Sequence, residues 1–87
     1  MPFPPNAAEM IRAKLDASLL PSKITGKMYA GFGTHRPCDG CETAILRTQV
    51  EYEFDDPEGR TFRFHLGCAG LWEAALRRLG IDPRDST

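Results

Sequence analysis

Apolar side chains near the start of the chain recur with a period of about 3.6 residues, the period of an amphipathic helix. One face carries Ala8, Ile11, Leu15, Ser18 and Leu19, and the opposite face is charged. Asn6 and Glu9 have the spacing of a capping box, in which each side chain bonds a free backbone N–H of the first turn. Pro21 ends the pattern. The sequence therefore predicts an N-terminal amphipathic helix within residues 6–20.

The middle of the chain alternates apolar and polar side chains, as a half-buried β-strand does. Val50, Tyr52 and Phe54 alternate with acidic residues, and Phe62 and Phe64 continue the pattern beyond the turn at residues 56–59. This predicts a β-hairpin with an aromatic inner face, in which Glu51 or Glu53 lies opposite Arg63. We expect the acidic residues of the hairpin to be exposed to solvent. They are Glu51, Glu53, Asp55, Asp56 and Glu58.

Two further segments flank the hairpin. The pattern at residues 27–30, although its alternation is weak, predicts a short strand that leads into a turn at residues 31–33. From Leu66 the apolar spacing is helical again, and the apolar stripe contains Leu71, Trp72, Ala75, Leu76 and Leu79. Gly80 fits the position just after a helix, and Pro83 confirms the stop, so residues 81–87 are expected to form a flexible tail. Trp72 is expected in the core, against Phe62, Phe64 or the first helix.

Composition limits the classes of protein to consider. The 87 residues suffice for one small domain, residues 1–87, whose core is marginal without a metal, a disulfide or a partner. The net charge of −1 gives no overall attraction to nucleic acid or to an anionic membrane. Three cysteines cannot all pair, and neither an apolar signal segment nor a membrane span is evident. We therefore expect a cytoplasmic protein.

The three cysteines belong to two short motifs. Cys38 and Cys41 form a C-x2-C pair, and His65 and Cys68 form an H-x2-C pair that is separated from Cys41 by 23 intervening residues. This spacing is typical of four ligands around one tetrahedral Zn²⁺. Gly40 is expected to supply the permissive backbone that turns both thiolates toward the ion. The sequence thus predicts one structural zinc per chain, and we expect the zinc-free chain to lose the hairpin and the second helix.

Other interpretations of these residues remain open. Cys38 and Cys41 could instead form a redox pair, but such a pair precedes a long helix, whereas here a hairpin follows. Four ligands leave no open position for a catalytic water, and once His65 is a ligand no other catalytic set remains. We therefore expect no enzyme. His35 is expected to be exposed or to lie beside the ligands, and Arg36 to interact with the negative charge of the cluster.

The C-x2-C pair would form a zinc knuckle, a tight turn that carries two ligands. A chain that continues from such a knuckle into a hairpin and then a helix resembles the treble-clef zinc fingers, and the resemblance covers residues 37–80. It implies a small α+β fold in which Cys38, Cys41, His65 and Cys68 bind the zinc. The H-x2-C pair also resembles the second half of the first metal site in LIM domains, although a second set of four ligands is missing. The chain as a whole is similar to small uncharacterised bacterial zinc proteins, a likeness that implies no activity.

Two classes of function are consistent with these features. The first is a non-enzymatic zinc module that binds another protein through the leading helix, the arm around Phe3 or the outer hairpin edge, as a monomer or as a weak homodimer through Ile11 and Leu15. The alternative is a nucleic-acid-binding regulator. Its basic patch would contain Arg60, Arg63, Arg77 and Arg78. A third hypothesis is a switch in which oxidation of Cys38 and Cys41 releases the zinc.

Overall fold

The computed structural model describes residues 6–84, which contain two helices and three antiparallel strands. The elements are α1 (Ala7–Asp16), β1 (Thr25–Phe32), β2 (Val50–Asp55), β3 (Thr61–His65) and α2 (Leu66–Arg78). The strands form one sheet in the order β1-β2-β3, and α1 contacts α2. The fold is therefore α+β. The predicted arm around Phe3 lies outside the described residues.

The predicted hairpin is confirmed. β2 and β3 are antiparallel, and Glu53 lies opposite Arg63, whose Nη2 is 2.8 Å from Glu53 Oε2. The predicted exposure of the acidic residues is wrong at two positions, because Glu51 is only 8% exposed and Asp56 only 3%. Glu51 Oε1 accepts hydrogen bonds from the Thr34 N–H, at 3.2 Å, and from the Thr34 hydroxyl, at 2.9 Å. Carboxylates can be buried in this way when donors satisfy them.

Asp56 holds the turn between β2 and β3. Its Oδ1 accepts the N–H groups of Glu58, at 3.0 Å, and of Arg60, at 2.8 Å, while its Oδ2 accepts Arg60 Nε at 2.8 Å. Burial acts to raise the pKa of Asp56, but the hydrogen bonds from Arg60 outweigh it and lower the pKa. The hairpin turn is thus fixed by a buried carboxylate instead of a solvated one.

β1 is longer than the sequence indicates and adds a third strand to the sheet. It spans Thr25–Phe32 instead of residues 27–30, and it pairs with β2 so that Ala30 lies opposite Tyr52 and Phe32 opposite Val50. All of its residues except Met28 are exposed. A strand with no buried face shows no alternation of apolar and polar residues, so the sequence pattern indicates only part of its length.

Gly33, just after β1, leads to a stability prediction. Its N–H bonds the Gln49 carbonyl at 2.9 Å, and a Cβ at this position would overlap the Leu46 carbonyl oxygen and lie 2.5 Å from that of Ile45. Since backbone atoms cannot move aside cheaply, Gly33→Ala is expected to lower the free energy of unfolding by about 2–3 kcal/mol, measured by urea denaturation.

Gly31 provides the matched control for this substitution. A Cβ there meets nothing within 4 Å, so Gly31→Ala is expected to change the free energy of unfolding by less than about 1 kcal/mol. Equal effects of the two substitutions would show that the close approach of residues 45 and 46 to Gly33 is not what requires a glycine.

The N-terminal helix is present but differs from the prediction at both ends. The Asn6 side chain makes no capping bond, because its backbone (φ −95°, ψ 14°) is not in the extended conformation that a capping residue needs. The helix ends at Asp16, not near Leu19, because Ser18 adopts a φ of 60°. The N–H groups of Ser18 and Leu19 then bond the carbonyls of Leu15 and Lys14, which is a Schellman motif.

The C-terminal helix follows β3 without a connecting loop and ends as predicted. Gly80 has a φ of 76°, and the N–H groups of Gly80 and Ile81 bond the carbonyls of Arg77 and Leu76. Leu79 departs from the predicted apolar stripe, since it lies at the turn and is exposed. The first part of the predicted tail packs against the fold. Pro83 is buried, and its carbonyl accepts the Ile24 N–H at 3.0 Å.

Trp72 lies at the centre of the core, as predicted. It is fully buried, with its ring centroid 5.0 Å from that of Phe54 and 5.5 Å from that of Phe64. Its Nε1–H donates to the Pro21 carbonyl at 2.8 Å, which also fixes the segment that follows α1. The same core buries Ile11 completely, so this residue is not available for a homodimer through α1. Neither helix within residues 6–84 has the length and apolar character needed to cross a membrane.

Candidate metal centre

The structure brings the four predicted ligands together from three parts of the fold. Cys38 and Cys41 come from the loop between β1 and β2, His65 ends β3, and Cys68 lies in the first turn of α2. All four are buried, and their ligand atoms lie within 4.8 Å of one another. The group could therefore hold a metal ion. Within residues 6–84 it is the one cluster of His, Cys, Asp and Glu side chains found with such geometry.

The ring of His65 has a defined orientation in this cluster. Nδ1 lies 3.4 Å from Cys41 Sγ and 3.9 Å from Cys68 Sγ, whereas Nε2 lies 3.2 Å from the Ala44 carbonyl oxygen. A carbonyl only accepts, so Nε2 carries the proton and Nδ1 directs its lone pair toward the sulfurs. Metal-ligating histidines are typically fixed by such a bond from the other ring nitrogen. The sequence indicated His65 but gave no indication of Ala44.

Two of the distances between ligand atoms are close to those of a small tetrahedral site. Metal–sulfur bonds of about 2.3 Å and metal–nitrogen bonds of about 2.0–2.1 Å place neighbouring ligand atoms roughly 3.5–3.8 Å apart in a tetrahedron. The two distances from His65 Nδ1 to sulfur, 3.4 Å and 3.9 Å, lie close to this range. The residues present thus fit a tetrahedral cation with three sulfur ligands and one nitrogen ligand.

The loop between Cys38 and Cys41 is a knuckle closed by its own backbone. The Gly40 N–H donates to Cys38 Sγ at 3.3 Å, and the Glu42 N–H donates to the Cys38 carbonyl at 2.8 Å. The role predicted for Gly40 is wrong in its reason, because the left-handed residue here is Glu42, with a φ of 67°. The space at Gly40 is tight instead. A Cβ there would lie 3.1 Å from Ile11 and 3.3 Å from Phe64.

Two contacts that the sequence did not indicate attach the knuckle to the rest of the fold. Asp39 bonds the free edge of β3, since its N–H donates to the Arg63 carbonyl at 2.8 Å and its Oδ2 accepts the Arg63 N–H at 2.7 Å. Lys14 of α1 donates to the Asp39 carbonyl at 2.9 Å and lies 2.8 Å from Glu42 Oε2. Burial raises the pKa of Asp39. The knuckle therefore connects the sheet edge to the N-terminal helix.

The electrostatics of the cysteines favour a bound cation. A hydrogen bond from the Cys68 thiol lowers the pKa of Cys38 to about 4, and the same bond, together with burial, raises the pKa of Cys68. Burial also raises the pKa of Cys41. Without a cation, the three sulfurs thus favour one thiolate and two thiols. Full deprotonation of the cluster needs a positive ion at its centre, and metal binding would release the remaining protons.

The residues next to the motifs stay outside the cluster. His35 is exposed and has a φ of 65°, and its backbone N–H bonds the Ile45 carbonyl, so the first of the two predicted positions, exposure to solvent, is the one found. Arg36 is exposed as well, and its interaction with the charge of the cluster stays a prediction. Cys38, Cys41 and Cys68 are free thiols with no disulfide between them.

Comparisons with known proteins return no relative. The chain matches no family model, and no match is found for it among the curated proteins or the solved structures. The interpretation of the site therefore depends on its own geometry.

Proposed function

We propose that the chain is a zinc module in which one Zn²⁺ is bound by Cys38, Cys41, His65 and Cys68 and stabilises the fold. The observation that carries this proposal is the buried cluster of ligand atoms within 4.8 Å of one another, in which His65 is already oriented by Ala44. Thiolate and imidazole ligands in a tetrahedral arrangement favour zinc over harder cations such as Mg²⁺ or Ca²⁺. When bound, the ion would supply the positive charge that three buried thiolates require.

A structural role is favoured over a catalytic one. Catalytic zinc sites keep a position open for water, whereas four protein side chains are available here. The cysteines and His65 are each at most 3% exposed, which leaves little access for a substrate. We therefore propose a module without enzymatic activity. The order of knuckle, β2–β3 hairpin and α2 supports a treble-clef arrangement, to which α1 and β1 are additions.

The proposed role of the module is to bind another protein. It is supported by large apolar side chains at the surface: Val50, 39% exposed, and Leu66, 55% exposed, line one depression with His65, and Phe32, 82% exposed, lies opposite Val50 in the sheet. The basic patch required by the nucleic-acid alternative is largely neutralised. Arg60 pairs with Asp56, Arg63 with Glu53 and Arg77 with Glu73. No observation favours the alternative, so we propose the interaction role alone.

Metal content tests the proposal. Protein purified without added metal is expected to contain close to one zinc per chain by mass spectrometry, because the four ligands are brought together by the fold. His65→Ala and Cys68→Ala are each expected to lose most of this zinc, since each removes a ligand. His35→Ala is the matched control, because it removes the other histidine, which is exposed and lies outside the cluster.

Two results would contradict the zinc proposal. One is wild-type protein that contains no zinc and takes none up when zinc is supplied. The other is His65→Ala protein that holds zinc as tightly as the His35→Ala control does. In either case the C-x2-C pair should be examined as a redox site.

A further inference from the structure

A shallow groove follows the line along which α1 and α2 meet. Ala8 and Leu71 line a depression of about 100 Å³ at one end, and Leu15 and Leu79 line an adjoining one of about 110 Å³. The two helices therefore run side by side in the same direction, and the groove between Leu71 and Leu79 is roughly 12 Å long. Beyond Leu15 and Leu79 it opens into a larger depression of about 550 Å³.

The groove has an excess of positive charge, although the chain as a whole has not. Arg12 and Arg78 line both of the first two depressions, and Lys23 lines the third. Within residues 6–84, the side chains of these three residues make no ion pair and no hydrogen bond. The carboxylates that line the groove do not balance them, because two already bind Arg60 and only Asp16 is left. The groove thus offers cationic groups without partners beside an apolar floor.

These features match an amphipathic helix that carries acidic residues. A groove between two helices receives a third helix whose apolar side chains recur at helical spacing. Such a helix would cover Leu79, which is 63% exposed. Glutamate or aspartate side chains beside its apolar stripe would pair with Arg12 and Arg78, since a guanidinium binds a carboxylate through two parallel hydrogen bonds. A phosphate backbone would also pair with the arginines, but it would leave Leu15 and Leu79 in water.

We propose that the α1–α2 groove binds an acidic amphipathic helix of a partner protein. This inference rests on the proposed interaction role, and it gives that role a second surface and a partner of stated chemistry. The apolar face of the bound helix lies on the floor between α1 and α2, and its carboxylates pair with Arg12 and Arg78. The contact uses no candidate metal ligand.

Fluorescence anisotropy of a labelled helical peptide, titrated with the zinc-loaded full chain, tests this groove. The peptide has about 18 residues, with leucine at the a and d positions of a heptad and glutamate at e and g. A second peptide carries lysine in place of every glutamate. The glutamate peptide is expected to bind, with an affinity that falls as the salt concentration rises. The lysine peptide is expected to bind at least about tenfold more weakly, because it meets like charges.

The double variant Arg12→Glu, Arg78→Glu is expected to raise the dissociation constant of the glutamate peptide at least about tenfold, because two attractive contacts become repulsive. The matched control is the double variant Lys27→Glu, Arg47→Glu. It changes the net charge by the same amount, and both of its residues are exposed and lie outside the groove. Charges far from the peptide are screened by salt, so the control should change the dissociation constant by less than about twofold.

Four results would overturn the proposal. They are a glutamate peptide that does not bind the wild type, equal binding of the two peptides, binding that the double variant at Arg12 and Arg78 leaves intact, and binding to phosphatidylglycerol vesicles in place of the peptide. The comparison of the two peptides uses the wild type alone, so it decides even where the double variant does not fold. Zinc measured in each sample separates the proposals, since a zinc-loaded chain that binds neither peptide contradicts only the groove.

Discussion

Chelation of the metal is expected to unfold the β2–β3 hairpin and α2. The candidate ligands come from the knuckle, the end of β3 and the start of α2, so a bound metal would hold these three parts together. Structural zinc contributes about 10–16 kcal/mol in comparable finger peptides, whereas a whole domain is stable by about 5–15 kcal/mol. Circular dichroism before and after excess EDTA should show loss of secondary structure, and the thermal unfolding transition should disappear.

Substitution of each histidine in turn distinguishes loss of the metal from other effects of the chelator. His65→Ala is expected to resemble the chelated wild type without any EDTA, because it removes a ligand and leaves Ala44 without its donor. His35→Ala is expected to resemble the untreated wild type, since His35 is exposed. If chelated protein keeps the same spectrum and the same melting temperature as zinc-loaded protein, the metal does not stabilise the fold.

Trp72→Ala is expected to lower the free energy of unfolding by about 3–5 kcal/mol, which for a domain of this size is most of its stability. The substitution removes a fully buried ring that packs against Phe54 and Phe64, and it leaves the Pro21 carbonyl without its donor. Urea denaturation of zinc-loaded protein, followed by circular dichroism, measures this change. Fluorescence is unsuitable, because Trp72 is the single tryptophan.

Trp72→Phe distinguishes packing from hydrogen bonding in this core. It keeps an aromatic ring beside Phe54 but loses the Nε1–H bond to Pro21, so a smaller loss of about 1–2 kcal/mol is expected. A loss for Trp72→Ala below about 1 kcal/mol would show that the ring is not the centre of the core. Equal losses for the two variants would mean that the Pro21 bond accounts for nearly the whole effect.

Features encoded by local spacing could be predicted from the sequence. The C-x2-C and H-x2-C motifs place their residues at the two sides of a hairpin, and the hairpin itself follows from the alternation at Tyr52 and Phe54. The change to helical spacing after His65 and the glycine at position 80 define α2 at both ends. These patterns depend only on residues close together in the sequence, so they can be recognised without knowledge of the tertiary structure.

Features that depend on distant contacts could not be predicted in this way. β1 has almost no buried side chain, and its pairing with β2 is therefore invisible in its pattern. The sequence pattern predicts that Glu51 is exposed, and only the structure shows that Thr34 donates the hydrogen bonds that allow its carboxylate to be buried. In the candidate site, the four residues can be predicted from their spacing. The bond from His65 to Ala44 and the contact of Lys14 with the knuckle depend on the tertiary structure and cannot.

The bonds between Asp39 and Arg63 bear on the solubility of the chain as well as on its fold. Asp39 lies between two of the candidate metal ligands, so its position depends on the knuckle remaining closed. If the knuckle opens before the hairpin has unfolded, β3 gains a free edge while β1 keeps its own. A sheet with two open edges and the aromatic residues Phe62 and Phe64 on its outer strand can add chains without limit. If the chain binds zinc as proposed, metal-depleted protein is therefore expected to aggregate, and the supply of metal during synthesis would decide how much protein stays in solution.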